Sequence, residues 1–139
     1  MSDKIYRKFS AVLDSALKNG VVSFASTPVL EEYQPKYAYR CVIRGEKYKP
    51  LNRSDFNSQM ERGQNGADEH KIEDYSCSLG IDLKYVLSFA KRYPPLKKWK
   101  CAEGDITDDM GIINECGGHI NLWLYDNVDP SATFVMKDI

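Results

Sequence analysis

Few folds can accommodate the run Gly117-Gly118-His119-Ile120-Asn121-Leu122-Trp123-Leu124-Tyr125. A glycine pair frees the backbone, and the residues after it alternate with a period of two, as in a strand whose faces meet different surroundings. Ile120, Leu122 and Leu124 take one face; His119, Asn121, Trp123 and Tyr125 take the other. The first face is wholly apolar and requires a core. The second carries an imidazole, an amide and two amphipathic rings, groups suited to lining a cleft.

The rest of the chain supplies that core. Ile5, Phe9, Val12, Leu13, Ala16 and Leu17 fall on one stripe at helical spacing, with Ser2 or Asp3 as cap and Asn19-Gly20 as the end. Residues 21–25 read as a short strand and 27–35 as a connector. A strand is expected over 37–44, stopped by Gly45. Residues 45–74 are poor in apolar side chains and read as a long polar loop, the kind that often serves as a binding loop or lid. One short helix is expected inside it, capped by Asp55, with Phe56 and Met60 one turn apart and Gly63 at its end. Residues 75–80 read as a strand. Asp82 then caps a helix carrying Leu83, Val86, Leu87 and Ala90, which Pro94-Pro95 ends. Strands follow near 99–103, 110–114 and 119–125. Residues 133–136 read as a last strand, with a short helix opened by Asp129-Pro130 as the alternative. This order predicts a single α+β domain over residues 1–139, with a largely antiparallel sheet, two main helices and the polar loop.

Composition narrows the function classes. The 139 residues suit one domain, and the net charge of −1 comes from mixed acids and bases. That balance argues against nucleic acid as a partner. The one locally basic stretch, around Arg92, Tyr93 and Trp99, reads as a helix C-terminus whose cations offset the dipole. No apolar run is long enough for a bilayer, and the first residues lack the apolar segment of a signal peptide, so a cytoplasmic chain without membrane contact is expected. Cys41, Cys77, Cys101 and Cys116 show no paired spacing and read as free thiols. Cys116 and His119 have no second ligand pair, so no metal site is expected. As a thiol–base pair they are outweighed by a buried thiol beside a capping histidine.

Arg40 and the Ser76-Cys77-Ser78 segment are the other candidates. Arg40 shares its strand face with Ala38 and Val42. A guanidinium there must find an acceptor or lose roughly several kcal/mol of solvation. A diphosphate or carboxylate ligand would satisfy it, and so would an internal acid such as Glu103 or Asp105. Ser76 and Ser78 share a face and can hold a ribose, or stand as solvated edge residues.

Tyr39-Arg40, Ser76-Cys77-Ser78, a helix and a late polar strand together resemble the ADP-ribosyltransferase superfamily over residues 37–125. One branch of that family has an arginine on an early strand, Ser-Thr-Ser on a central strand and Glu-x-Glu on a late one. The resemblance implies NAD as cofactor, Arg40 on its phosphates, and Ser76 at the nicotinamide ribose. This chain has Cys77 for the threonine, and His119-Ile120-Asn121 where the two glutamates would stand. The expectation is a nucleotide-binding protein, a divergent or inactive ADP-ribosyltransferase-like effector. Its cleft would hold His119 and Ser76 as catalytic groups, with Arg40, Ser78, Asn121 and Trp123 as cofactor contacts. Residues 46–74 would form its lid. The alternative is a non-catalytic protein-interaction protein, an inhibitor, immunity or accessory factor, with Trp123 and Tyr125 as partner anchors.

Overall fold

The computed structural model describes residues 9–43, 51–63, 66–91 and 99–137. Several expected features lie outside them: the caps Ser2 and Asp3, Ile5, the Gly45 stop, the basic stretch from Arg92, and Pro94-Pro95. Among the described residues the order is helix α1 (Ala11–Lys18), strands β1 (Lys36–Ile43) and β2 (Cys77–Gly80), helix α2 (Leu83–Lys91), then β3 (Trp99–Ile106), β4 (Gly111–Cys116), β5 (His119–Leu124) and β6 (Val135–Lys137). The strands form one sheet in the order β4-β5-β2-β1-β3-β6, with every pair antiparallel. The expected α+β class is the observed one.

Gly117 (φ 57°) and Gly118 (φ 89°) form the two-residue turn joining β4 to β5. Both need the left-handed backbone of a tight hairpin, which glycine adopts without strain. The turn fixes the register, and the register sorts the side chains. Ile120, Leu122 and Leu124 join Ala38, Cys77, Leu79, Ala102, Ile106, Ile113, Phe56 and Phe134 in one buried cluster. Trp123 and Tyr125 join Leu13 and Ala16 of α1, with Ile72, Tyr75 and Ile112, in a second. The sheet therefore has a core on each face.

Local departures from the expected elements have local causes. Helix α1 starts at Ala11, because Phe9 is extended and bridges Tyr125. Its stripe is correspondingly narrow: Leu13 and Ala16 are buried, while Val12 is exposed. Residues 21–25 form no strand. The amides of Val21 and Val22 both donate to Ala16 O, closing the helix, and Phe24 packs edge-on against Trp123 at 5.1 Å. In the polar loop, Asn52 rather than Asp55 is the cap. It opens a 3₁₀ turn, Arg53–Phe56, and Asp55 completes a capping box by accepting from the Asn52 amide. Tyr75 belongs to a second 3₁₀ turn, Ile72–Tyr75, so β2 begins only at Cys77. At the far end both alternatives occur: a 3₁₀ turn, Pro130–Ala132, precedes β6.

Candidate functional site

Two cross-strand rows build a polar strip on the face that also carries Trp123. Asn121 of β5 sits between Asn114 of β4 and Ser78 of β2. One step along, His119 sits between Cys116 and Gly80. The apolar cluster under α1 bounds the strip at one end. Helix α2 bounds it at the other. Asp82 caps that helix by accepting from the Tyr85 amide at 2.7 Å, which places Tyr85 over the strip. Its ring lies where side chains on Gly80 and Gly118 would otherwise be: a β-carbon would come within 2.9 Å of it at Gly80 and 3.3 Å at Gly118.

The hydrogen bonds converge on His119. Nδ1 is 3.0 Å from the Tyr85 hydroxyl; Nε2 is 2.9 Å from Ser78 Oγ and 3.1 Å from Asn121 Oδ1. Ser76 Oγ lies 2.8 Å from Asn121 Oδ1 and 2.6 Å from Glu73 O, tying the strip to the second 3₁₀ turn. Asn121 Nδ2 donates to Asn114 Oδ1, and Asn114 Nδ2 to Pro28 O. Ser76 and Asn121 are buried, His119 is half-buried, and Ser78 is exposed. Desolvation pushes the His119 pKa down from its ordinary value, and the bond to Asn121 opposes part of that shift. The imidazole is therefore neutral near pH 7, with a hydroxyl at each nitrogen.

Protons can occupy this cluster in two ways. In one, Tyr85 donates to Nδ1, and Nε2–H points to Asn121 Oδ1 and Ser78. In the other, Nδ1–H donates to the Tyr85 oxygen, the Asn121 amide is turned, and Nε2 accepts from Ser78 O–H. The second lets Ser76 give its single proton to Glu73 O while accepting from the Asn121 NH₂, but it turns Asn121 Oδ1 toward Asn114 Oδ1 and loses the bond between those two amides. Passing between the two moves the ring proton from one nitrogen to the other, with both hydroxyl partners already in place.

Four of the six side chains singled out in the sequence meet here: Ser76, Ser78, His119 and Asn121. The other two do not. Trp123 is fully buried and donates from Nε1 to Ile72 O at 2.9 Å, so it is core and neither a cofactor contact nor a partner anchor; Tyr125 is buried beside it. Arg40 lies on the opposite sheet face, with Ala38. Its guanidinium is buried and donates from Nε to Asp55 O (2.9 Å), from Nη1 to Ser78 O (2.7 Å) and from Nη2 to Asn57 O (3.1 Å). Its acceptors are main-chain carbonyls rather than Glu103 or Asp105. The Arg53–Phe56 turn that it clamps lies against the Ala38 face, with Phe56 1% exposed, so that part of the expected lid is on the wrong side of the sheet to close over His119.

Ser76 and Ser78 also exchange their expected standing. Ser76 is the buried brace, and Ser78 is the accessible hydroxyl beside the imidazole. Sequence reasoning missed Tyr85 as a member of the site. The available signal was its place in the first turn after the Asp82 cap, beside a strand ending in Gly80.

No group of three or more metal-ligating side chains occurs among the described residues. No helix among them is long and apolar enough to cross a membrane. The strip's hydrogen-bonding groups are uncharged, and with Arg40 turned away they do not fit the pyrophosphate of a dinucleotide. No family model, curated relative or solved structure matches this chain.

Proposed function

We propose that this chain binds a nucleoside-type ligand, the nicotinamide riboside end of NAD included, in the strip between α1 and α2. The observation that carries this reading is the exposed Ser78 hydroxyl held 2.9 Å from a half-buried imidazole. Hydroxyl, imidazole and carboxamide side by side offer donors and acceptors at the spacing a sugar diol uses, and they do so without charge. His119 is the central contact, Ser78 and Asn121 flank it, and Arg40 holds the fold. The working compartment in this reading is the cytoplasm, where the four free thiols stay reduced.

The test is a ¹H–¹³C titration of the His119 ring with nicotinamide riboside, adenosine, NAD and ADP-ribose. Nucleosides and NAD are expected to shift the His119 and Asn121 signals, with ADP-ribose no tighter than adenosine because no phosphate clamp contributes. Unmoved signals at millimolar nucleoside and NAD would refute the reading.

A second reading, a protein-interaction role, has its own observation. Tyr37 and Val135 are large, exposed and on one sheet face, and Tyr39 and Glu103 lie between them in the β1–β3–β6 register. In that case Tyr37→Ala and Val135→Ser lose a protein partner that His119→Gln retains.

A further inference from the structure

Among the serines of the site, Ser78 is distinct. It is exposed, and on β2 it shares a face with Gly80, two residues on, whose lack of a side chain lets Tyr85 approach. Its oxygen has the imidazole at 2.9 Å, while the far ring nitrogen is held at 3.0 Å by Tyr85. A nucleophilic serine needs this pattern: a base within hydrogen-bond reach, and a third group that fixes the ring's orientation and tautomer. We propose that Ser78 and His119 form a nucleophile–base pair that accepts acyl groups from small uncharged esters, with Tyr85 as the positioning residue. The proposal rests on the same strip being a binding site, and deepens that reading by naming a chemistry for it.

Three features support the assignment beyond the distance. In the arrangement with the Asn121 amide turned, the ring proton sits on Nδ1 against the Tyr85 oxygen and Nε2 offers its lone pair to Ser78. The proton arrangement in which Nε2 accepts from Ser78 is the one in which Ser76 makes one donation and one acceptance, in exchange for the long Asn121–Asn114 bond. The groups facing the imidazole are Tyr85 from α2, Ser78 from β2, Asn121 from its own strand and Cys116 across from it on β4. No aspartate, glutamate, lysine or arginine is among them, so the strip favours an uncharged acyl donor. Cys116 is exposed, yet it is not among the hydrogen-bond partners of either ring nitrogen, which makes the serine the activated group.

The step balances. Ser78 Oγ forms a bond to the acyl carbon as its proton passes to Nε2, while Nδ1–H stays bonded to the Tyr85 oxygen. The ester C–O bond breaks, and the departing alkoxide takes the proton from Nε2. Water then repeats the sequence: its proton goes to Nε2, its oxygen attacks the acyl carbon, and Ser78 Oγ leaves and is reprotonated. Only an ester and water are consumed.

The experiment uses the full chain with p-nitrophenyl acetate and, separately, an alkyl fluorophosphonate, read by intact mass and peptide sequencing. One adduct on Ser78 is expected, with a burst of one p-nitrophenolate per chain, and Ser78→Ala abolishes both. In His119→Gln, checked for folding by circular dichroism, acylation falls about 10²–10⁴-fold, the usual contribution of a positioned base. Tyr85→Phe moves the acid limb of the pH–rate profile, which a purely structural role would not do. An unlabelled Ser78 in the folded chain, an adduct on Cys116 in its place, or wild-type labelling of Ser78 in His119→Gln overturns the proposal. The nucleoside titration separates the two readings: ring shifts without an adduct refute the nucleophile alone, and an adduct without ring shifts refutes the nucleoside reading alone.

Discussion

Replacing Arg40 decides whether that residue serves the fold or a ligand. In Arg40→Met the side chain keeps its length and its apolar stem while the three donated bonds are lost. Each carbonyl left without a partner costs about 1–3 kcal/mol. Asp55 and Asn57 are only half-buried and Ser78 is exposed, and the low end of that range applies. Removing a guanidinium that no longer has to be desolvated offsets a further part. The expected net loss is about 2 kcal/mol, a sizeable share of the roughly 5–15 kcal/mol that keeps a domain folded. The melting temperature should fall by roughly 7 °C. Arg40→Lys should lose nearly as much, because one ammonium cannot reach three carbonyls that a planar fork serves together. Urea unfolding of the variants measures the loss directly. A variant within about 0.5 kcal/mol of the parent would show that the carbonyl clamp contributes nothing of the size expected for such bonds. If that variant also lost a phosphate-bearing ligand, Arg40 would be an anchor after all.

Other outcomes follow from the same geometry. His119 has a lower pKa folded than unfolded, so the unfolded chain protonates first; stability is intact above about pH 6.5 and falls as pH drops from there toward the folded pKa. His119→Gln should flatten that slope between unfolding curves at pH 7.5 and pH 5.5. Trp123→Ala should cost about 3–5 kcal/mol in urea unfolding, as for a buried aromatic, and Trp123→Phe less, chiefly through the unpaired Ile72 carbonyl. Gly117→Ala and Gly118→Ala both strain a left-handed backbone, but only the second meets a neighbour, Tyr85 at 3.3 Å; Gly118→Ala should therefore be the costlier and should alone disturb the His119 ring signals. Iodoacetamide on the native chain at pH 8 should modify exposed Cys116 first, while Cys41, its pKa raised to about 11 by burial, stays unmodified.

Alternation carried much of the sequence reading, since it is a property of one strand at a time. Ile120, Leu122 and Leu124 had to share a core, and His119 and Asn121 had to share the opposite face, whichever strands lay beside them. The helix ends were legible for the same local reason: Asp82 and Asn19-Gly20 act on amides and carbonyls within a turn of themselves. Residues 21–25 misled because β-branched residues next to a helix end can spend their amides on its last carbonyls instead of on a sheet. Trp123 misled because an amphipathic ring on a polar face is equally at home under a helix, once the carbonyl of Ile72 receives its N–H.

Arg40 shows where single-strand reasoning stops. Its parity on β1 was correct, with Ala38 as its face-mate. Which face of the neighbouring strand this matched depended on the register between β1 and β2. Tyr39 lies opposite Gly80, so Tyr39 and Cys41 share the face of Ser78 and His119, and Arg40 falls with Leu79. A slip of one residue would have set the guanidinium beside Ser78 and produced the anionic recess that the family resemblance implies. No local pattern encodes that single step, because β1 and β2 are separated by the polar loop and their register is set by the packing of the whole sheet. The step has a chemical consequence. It removes the only guanidinium from the group of side chains proposed for the site, and leaves a neutral imidazole between two hydroxyls. What remains suits proton transfer at an uncharged ligand far better than it suits the grip on a diphosphate.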